Sequence, residues 1–421
     1  MKRTFIIIVS IIILALGVWY FFFRDSSTTL VEIIRTGLPF GSNEDINIPA
    51  IDTKQGTADE KQFDEIISAE TKLFRISNTP VAGFVAFNTP QTNSKQGSTN
   101  TVVRYIDRAT GHIFDAIIPS ATTTGVIQKT RITNNTLPKI YEAHFRSDGG
   151  MVLLRALRGD SDTIDNLTLA LTAPKATSAS TSSPQVTNEF YSISATNMRG
   201  SIDSVAPGAG NTLYYTLTDT GAVVSSTFVG TELKTLFTSA FTNWRLARLG
   251  AGIMLYTKAS ASTPGYAYSV SGGTLTKLLG PLNGLTAIGN SNGKKILYSY
   301  TENNTTKLFS KDLARGDSLE ILPATISEKC AWSAREANSF FCGTPISSMI
   351  STEPDEWYQG KTHFSDYIWK FDTNSEIAQL ILNPKTNFDL EFDIYEPKLS
   401  PNEDYMIFIN KRDLTLWGVR L

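Results

Sequence analysis

The sequence predicts an all-β fold, a seven-bladed β-propeller, behind a single N-terminal transmembrane helix. Three observations lead to this prediction. An uncharged apolar run opens the chain, and a pattern of short strands and polar turns recurs after it. The last repeat of this pattern lacks a fourth strand, and the first strand of the pattern can supply it. Four-stranded units with a period of about 40–50 residues are typical of propeller blades. A six-bladed ring is the alternative, because the repeats are degenerate.

The apolar run extends over residues 5–23 and follows Lys2 and Arg3. A helix of about 19 residues, with about 1.5 Å of rise per residue, just crosses a hydrocarbon core of about 30 Å. The run ends in bulky aromatic residues at 18–23, which suits a membrane interface better than a signal-peptidase site. We therefore predict an uncleaved signal-anchor within residues 1–24, with a cleaved signal peptide as the alternative.

The charges beside the anchor predict its orientation. Lys2 and Arg3 favour a cytoplasmic N-terminus, so that the rest of the chain lies outside the cytoplasm. Residues 25–71 are polar with weak periodicity, and we interpret them as a juxtamembrane stalk. The propeller domain is predicted at 72–421, with the membrane as a partner through residues 5–23.

The composition argues against two classes of partner. Lys and Arg number 38 against 40 Asp and Glu, a net charge of −2 without a basic stripe, so no nucleic-acid partner is predicted. The histidines are His112, His144 and His363, and none has the spacing of a metal site. We predict neither a metal nor another cofactor.

The repeat is clearest between residues 285 and 322. Four short strands follow one another there, separated by polar turns rich in Gly and Asn. The predicted strands are 285–288, 295–300, 307–311 and 319–322. In this register the last blade ends at 414–421 with its third strand, and Lys72 to Ser77 supplies the missing fourth. Closing the ring in this way protects strand edges that an open array would expose.

Two turns carry a resemblance to a known family of repeats. Ser147-Asp148-Gly149-Gly150 and Ser400-Pro401-Asn402-Glu403 resemble the Ser-Pro-Asp-Gly signature of TolB-like, WD40-like (PD40-type) propeller repeats, and Ala331-Trp332-Ser333 resembles the start of the same repeat. The resemblance covers about 350 residues. It implies the propeller fold with an N-terminal membrane anchor added, and it assigns no catalytic residue.

The two cysteines lie on neighbouring predicted strands. Cys330 and Cys342 flank a turn near Glu336, which places them opposite each other in an antiparallel pair. An oxidising compartment would allow a disulfide. Two separate buried thiols are the other interpretation.

An insertion between the second and third strands of the sixth blade is the candidate binding segment. It spans 344–366, on the face where such loops surround the central channel. Aromatic and polar side chains suited to an interface gather in it. The candidate binding residues are Trp357, Tyr358, Gln359, His363 and Phe364. The alternative is a loop whose aromatic rings fold inward and plug the channel.

These features predict a membrane-anchored, extracytoplasmic propeller that acts as a protein-recognition or scaffold module in a cell-envelope assembly. The loops on the channel face are rich in Ser, Thr and aromatic residues, which favours binding over catalysis, and no catalytic residue is predicted. The alternatives are a propeller hydrolase or lyase, or a carbohydrate-binding module, that acts on envelope glycans or peptides.

Overall fold

The protein is described by a computed structural model that covers residues 71–90, 99–119, 125–158, 163–174, 190–347, 349 and 352–421. These residues form seven four-stranded antiparallel sheets, each with its strands in meander order. First strands of successive blades contact one another, so that they line the centre of a ring. The all-β, seven-bladed propeller is therefore confirmed, and the six-bladed alternative is wrong.

The blades follow the chain in order. Blade 1 holds β2 (Val81–Pro90), β3 (Thr99–Asp107), β4 (Ile113–Ile118) and β5 (Gln128–Arg131), and blade 2 holds β6 (Ile140–Phe145), β7 (Met151–Leu157), β8 (Ile164–Thr172) and β9 (Ser192–Asn197). Blade 3 holds β10 (Ile202–Pro207), β11 (Thr212–Leu217), β12 (Ala222–Thr227) and β13 (Lys234–Thr238), and blade 4 holds β14 (Trp244–Leu249), β15 (Gly252–Thr257), β16 (Pro264–Ser271) and β17 (Thr274–Asn283). Blade 5 holds β18 (Thr286–Gly289), β19 (Lys295–Glu302), β20 (Thr305–Asp312) and β21 (Ser318–Glu320), and blade 6 holds β22 (Cys330–Trp332), β23 (Ser339–Pro345), β24 (Asp366–Asp372) and β25 (Ile377–Leu382). Blade 7 holds β26 (Ile394–Leu399), β27 (Tyr405–Asn410), β28 (Leu416–Arg420) and, from the start of the domain, β1 (Leu73–Ser77).

Blade 7 closes the ring as the sequence predicts. Strand β1 pairs antiparallel with β28, with Leu73 opposite Val419 and Arg75 opposite Trp417. The backbone N–H of Arg420 donates to the Lys72 carbonyl at 2.9 Å. The first described strand thus completes the last blade, and the outer edge of β28 is covered.

The hydrophobic core lies between blades. Seven apolar clusters each combine side chains from two neighbouring sheets, and together they run round the ring. In the cluster between blades 7 and 1, for example, Phe74 and Ile407 pack with Phe84, all at most 1% exposed. Successive side chains of a strand point to opposite faces of its sheet, and each face packs against a neighbouring blade. Both faces are therefore apolar, which explains the short hydrophobic runs in the sequence.

The inner strands differ in regularity round the ring. Strands β26, β2, β6 and β10, in blades 7 and 1 to 3, each contain a shift in pairing near their start. Strands β14, β18 and β22, in blades 4 to 6, pair without one. In β26 the irregularity includes Glu396 with a positive φ of 48°. Bulges of this kind re-aim side chains and are frequent beside functional sites.

Helical structure is scarce in the described ranges. It consists of a 3₁₀ turn at Ser327–Lys329, α1 at Asp355–Tyr358 and α2 at Pro384–Phe388. None of these helices is long or apolar enough to cross a membrane. The predicted anchor at 5–23, and the predicted stalk up to residue 70, lie outside the described residues.

Candidate functional site

The described part of the blade-6 insertion, residues 346–347, 349 and 352–365, packs with its aromatic rings turned inward. Trp357 has no exposed surface and Phe364 is buried beside it, together with Met349. This arrangement is the one expected of a plug, so the rings of Trp357 and Phe364 offer no contact surface. Of the candidate binding residues, Tyr358 is half-buried whereas Gln359 and His363 are exposed. Binding at the exposed residues stays a prediction.

The insertion is tied to several blades. Its hydrogen bonds outside its own segment, as far as the described residues show them, reach blades 4 to 7. They include Ala261 N to Asp355 Oδ2 at 2.6 Å, Thr301 Oγ1 to the Glu353 carbonyl at 2.8 Å, and Lys411 Nζ to the Trp357 carbonyl at 2.6 Å. A single segment therefore connects the blades on one side of the ring.

A buried ionic cluster lies beneath Trp357. Lys329 Nζ lies 2.5 Å from Asp393 Oδ1 and 2.7 Å from Asp366 Oδ2, and none of the three side chains is exposed. Trp357 Nε1 donates to both oxygens of Asp393, at 2.9 and 3.1 Å. Burial raises the pKa of Asp366 to about 6, although the nearby Lys329 ammonium opposes the increase. Sequence reasoning missed this cluster.

The mouth of the central channel carries ionisable side chains from the inner strands of several blades. Glu142, Asp203, Arg245 and Glu396 lie at the second or third position of β6, β10, β14 and β26. Glu328 lies in the 3₁₀ turn before β22. Solvent reaches the side chains of Glu142, Asp203 and Glu396, which are 28%, 34% and 29% exposed.

The effect of these ionisable side chains on Tyr395 shows that they lie close together. The pKa of this phenol is well above its usual value, first because of the Glu396 charge, then because of burial and the charges of Glu142 and Glu328. Carboxylates from blades 2, 6 and 7 thus act on one tyrosine. Asp203 is paired across neighbouring inner strands with Arg245, at 2.8 Å.

Glu142 is held as a carboxylate. Burial by itself would raise its pKa, but His144 and Arg155 outweigh burial and lower the pKa to about 2. Arg155 Nη1 donates to Glu142 Oε2 at 2.7 Å, and His144 Nε2 lies 2.9 Å from Oε1. Arg155 itself is buried, and it also donates to the backbone carbonyls of Ile202 and Asp203. Arg155 therefore links blade 2 to blade 3, with Glu142 as its partner in blade 2.

Glu328 has the opposite environment. Burial raises its pKa, and its two oxygens accept hydrogen bonds from Tyr256 and Tyr358, each at 2.8 Å. The pKa of each phenol is raised in turn, by burial first and then by the charge of Glu328. Tyr358 brings the insertion to the channel, so this carboxyl joins blades 4 and 6 to the insertion.

The interpretation of the channel face as rich in Ser, Thr and aromatic residues concerned its loops, and no prediction covered the inner strands. Those strands carry Glu142, Asp203, Arg245 and Glu396 near their starts. A recurrent ionisable residue at the beginning of the first strand was the available signal.

The cysteines of blade 6 form a disulfide in the structure. Cys330 and Cys342 are directly opposite in the β22–β23 ladder, with Cα atoms 4.1 Å apart. Both are buried in the cluster between blades 5 and 6. The bond joins the two strands that lead into the Lys329 cluster and the insertion.

No metal site is visible in the part of the chain that the structure describes, where no three His, Cys, Asp or Glu side chains are arranged to hold an ion. His112 Nε2 lies 3.2 Å from the Thr136 hydroxyl, His144 contacts Glu142, and His363 Nδ1 lies 3.5 Å from Asp393. The three histidines belong to three separate sites.

No known protein family matches the sequence, and neither does any curated protein. Solved structures match the fold at low identity. The GH74 xyloglucanase from Xanthomonas campestris matches with a TM-score of 0.50 and 11% identity, over 83% of this chain and 53% of that chain. YCF48 bound to D1 peptide gives 0.48 and 9%, over 83% and 96% of the two chains. TolB from Acinetobacter baumannii gives 0.38 and 11%, over 84% and 90%. At such identities the likeness shows the propeller fold alone, and closer membership among TolB-like repeats stays a prediction.

Proposed function

We propose that the protein is a membrane-anchored, extracytoplasmic propeller that recognises a protein segment at its channel mouth, within a cell-envelope assembly. The arrangement of charged side chains at the channel mouth is the observation that supports the proposal. Carboxylates from separate blades point to one place there and remain accessible to solvent, with an arginine from blade 4 beside them. Charged groups held by rigid strands give specificity for a complementary charged segment.

Two features support the proposed location outside the cytoplasm. The uncharged run at 5–23 is long enough to span a bilayer, and the basic residues before it favour a cytoplasmic N-terminus. A disulfide between Cys330 and Cys342 suits an oxidising compartment outside the cytoplasm. Exported protein that is denatured without reductant should therefore show no free thiol. Two free thiols, or a C-terminal tag that only cytoplasmic protease reaches, would contradict the proposed location.

Cross-linking in cells that produce the full chain tests the recognition site. We expect Asp203→Asn combined with Glu396→Gln to lose the cross-linked partner, because both carboxylates lie at the mouth and neither pairs with a fully buried cation. Asp317→Asn is the matched control, since Asp317 is exposed on a turn of the opposite face. Equal capture by both variants would remove the mouth as the binding site.

A second function, an enzyme acting on envelope glycans or peptides, is favoured by one group. Glu328 has a raised pKa in a channel and hydrogen bonds to two phenols, which is a setting suited to a proton donor. Glu328→Gln separates the two functions. It should abolish turnover of envelope material if Glu328 is an acid catalyst, whereas the wild type itself should show no turnover if the protein only binds.

A further inference from the structure

We propose that the folded chain joins Lys329 Nζ to Cγ of Asp366 in an intramolecular amide bond, with Asp393 as the proton acceptor. The three groups come from different elements, namely the 3₁₀ turn before β22, the start of β24 and the segment before β26. The fold holds them in contact, at 2.7 Å and 2.5 Å from Nζ. Such placement gives intramolecular reactions effective concentrations on the order of 10⁵ M or more.

The site of the three groups is closed to water. No surface of the three side chains is exposed, and the ammonium faces the rings of Trp357 and Phe364 at 5.2 and 5.0 Å. Two ionised carboxylates and one ammonium leave one negative charge among the three groups, and Lys411 and His363 face Asp393 from the edge of the site. Burial therefore favours protonation of one carboxyl, and the raised pKa of Asp366 agrees with this.

The two carboxyl groups have different partners. Asp393 Oδ1 accepts the Lys329 ammonium N–H at 2.5 Å, which places this carboxylate to take a proton, and Trp357 Nε1 donates to both of its oxygens. Asp366 accepts the Ile394 N–H on Oδ2 at 2.7 Å, while its Oδ1 has no hydrogen-bond partner in the described structure. A backbone donor at one oxygen stabilises the charge that develops there when an amine attacks. These contacts assign Asp366 as the acyl group.

The reaction balances without a further reagent. Asp393 takes one proton from the Lys329 ammonium, and the resulting amine attacks Cγ of the protonated Asp366. The C–N bond forms, the bond from Cγ to the hydroxyl oxygen breaks, and the hydroxyl leaves as water with the second amine proton. The product is an amide beside a neutral Asp393. Condensation replaces a buried ion pair, whose desolvation costs several kcal/mol per ion, by an uncharged bond.

The mass of the full chain, solubilised in detergent and then denatured and reduced, tests the proposal. We expect the wild type to be lighter than its sequence mass by one water, and a branched peptide to connect Lys329 with Asp366. Lys329→Arg should have the full sequence mass. Lys398 and Glu396 are the internal control, because they lie 3.7 Å apart but remain accessible to solvent and should stay unlinked.

Two further variants assign the roles. Asp366→Asn should lose ammonia in place of water, and Asp393→Ala should leave most molecules unlinked because no proton acceptor remains. A wild-type chain at its full sequence mass, in freshly purified and in aged samples, would overturn the proposal, and this readout does not depend on whether any variant folds. A branch mapped to Asp393 would overturn the assignment of Asp366.

Discussion

Blades 1 to 3 and blades 4 to 6 use the same four-stranded unit in different ways. The inner strands of blades 1 to 3 contain pairing shifts and present Glu142 and Asp203 to a solvent-accessible channel wall. The inner strands of blades 4 to 6 are regular, and the blade-6 insertion binds to all three of these blades. Blade 7 lies between them, with a pairing shift and contacts to the insertion.

The difference shows how a repeated fold separates stability from recognition. On the covered side, charge is buried, as in the contact of Lys329 with Asp366 and Asp393. On the other side, charge is paired but remains accessible, as for Glu142 with His144. Buried charges confer little net stability relative to apolar packing, but removing one partner is costly. We therefore expect variants on the two sides to fail in different ways.

Opening the ring should have the largest effect on the stability of the domain, because the blades on both sides depend on the closed ring. Deleting 72–77 exposes the edge of β28, and we expect unfolding or oligomerisation of the domain. Deleting 26–60 removes none of the described strands and should leave the melting temperature nearly unchanged. Thermal melting with size-exclusion chromatography measures both. Equal behaviour of the two truncations would refute the closure that this strand provides.

Two aromatic substitutions compare the sides directly. Trp357→Ala leaves a cavity and removes the donor to Asp393, so we expect a loss of about 3–5 kcal/mol in unfolding free energy. Tyr141→Phe should cost little, because the buried Tyr141 hydroxyl has no hydrogen-bond partner in the described structure. Chemical denaturation measures both values.

The same Trp357→Ala variant, combined with Tyr358→Ala, tests the prediction that the insertion binds a partner. If the insertion only plugs the channel, the double variant loses stability but captures the cross-linked partner like the wild type at a temperature where it stays folded. Weakened capture with little loss of stability would show instead that these rings contact the partner.

The pH dependence of stability should separate the two channel glutamates. The pKa of Glu142 is lowered from 4.5 to about 2, so its contribution is present above pH 4.5 and is lost as the pH falls towards 2. The pKa of Glu328 is raised, so its contribution is present below pH 4.5 and is lost as the pH rises through the raised value.

Denaturation of wild type, Glu142→Gln and Glu328→Gln across this pH range checks the signs. As the pH falls, Glu142→Gln should lose less stability than the wild type does. As the pH rises, Glu328→Gln should become more stable relative to the wild type. Identical pH profiles for the two variants would mean that the two environments do not differ as described.

The smallest expected effect concerns the phenols around Glu328. Tyr256→Phe removes one hydrogen bond to a buried carboxyl, for which we expect a loss of about 0.5–1.5 kcal/mol. The pKa of Glu328 should rise further, because this hydrogen bond favours its charged form. Carboxyl NMR titration measures that shift. An unchanged pKa would show that the hydrogen bond does not support the carboxylate.

Much of the fold was predictable because it depends on local periodicity. The alternation of apolar residues and the Gly-rich turns located the blades, and the orphan strand at 72–77 indicated the closure. The opposition of Cys330 and Cys342 followed from counting residues about one turn. The turns and the opposition of the cysteines need only a short window of sequence, whereas the closure required a comparison of the two ends of the repeat.

The candidate site was less predictable, because it depends on contacts between distant segments. Nothing near Lys329 in the sequence indicates that Asp366 and Asp393 will meet it in a dry site. The inner-strand bulges have only a partial signal in the sequence. Gly83 and Pro397 lie at the pairing shifts of β2 and β26, but the shifts in β6 and β10 contain neither glycine nor proline. The burial of Trp357 was one of two interpretations that composition alone left open.

The closure of blade 7 has a consequence for how the protein is made. The Lys72 ammonium contacts the Arg420 carbonyl across 348 residues of chain, so the last blade forms only after β28 has been synthesised. Until then the growing ring has two unprotected edges, and joining such distant segments is slow. Until β28 is made, a chain of this design is open to mispairing, and protecting it during that interval is a task for the cell's chaperones.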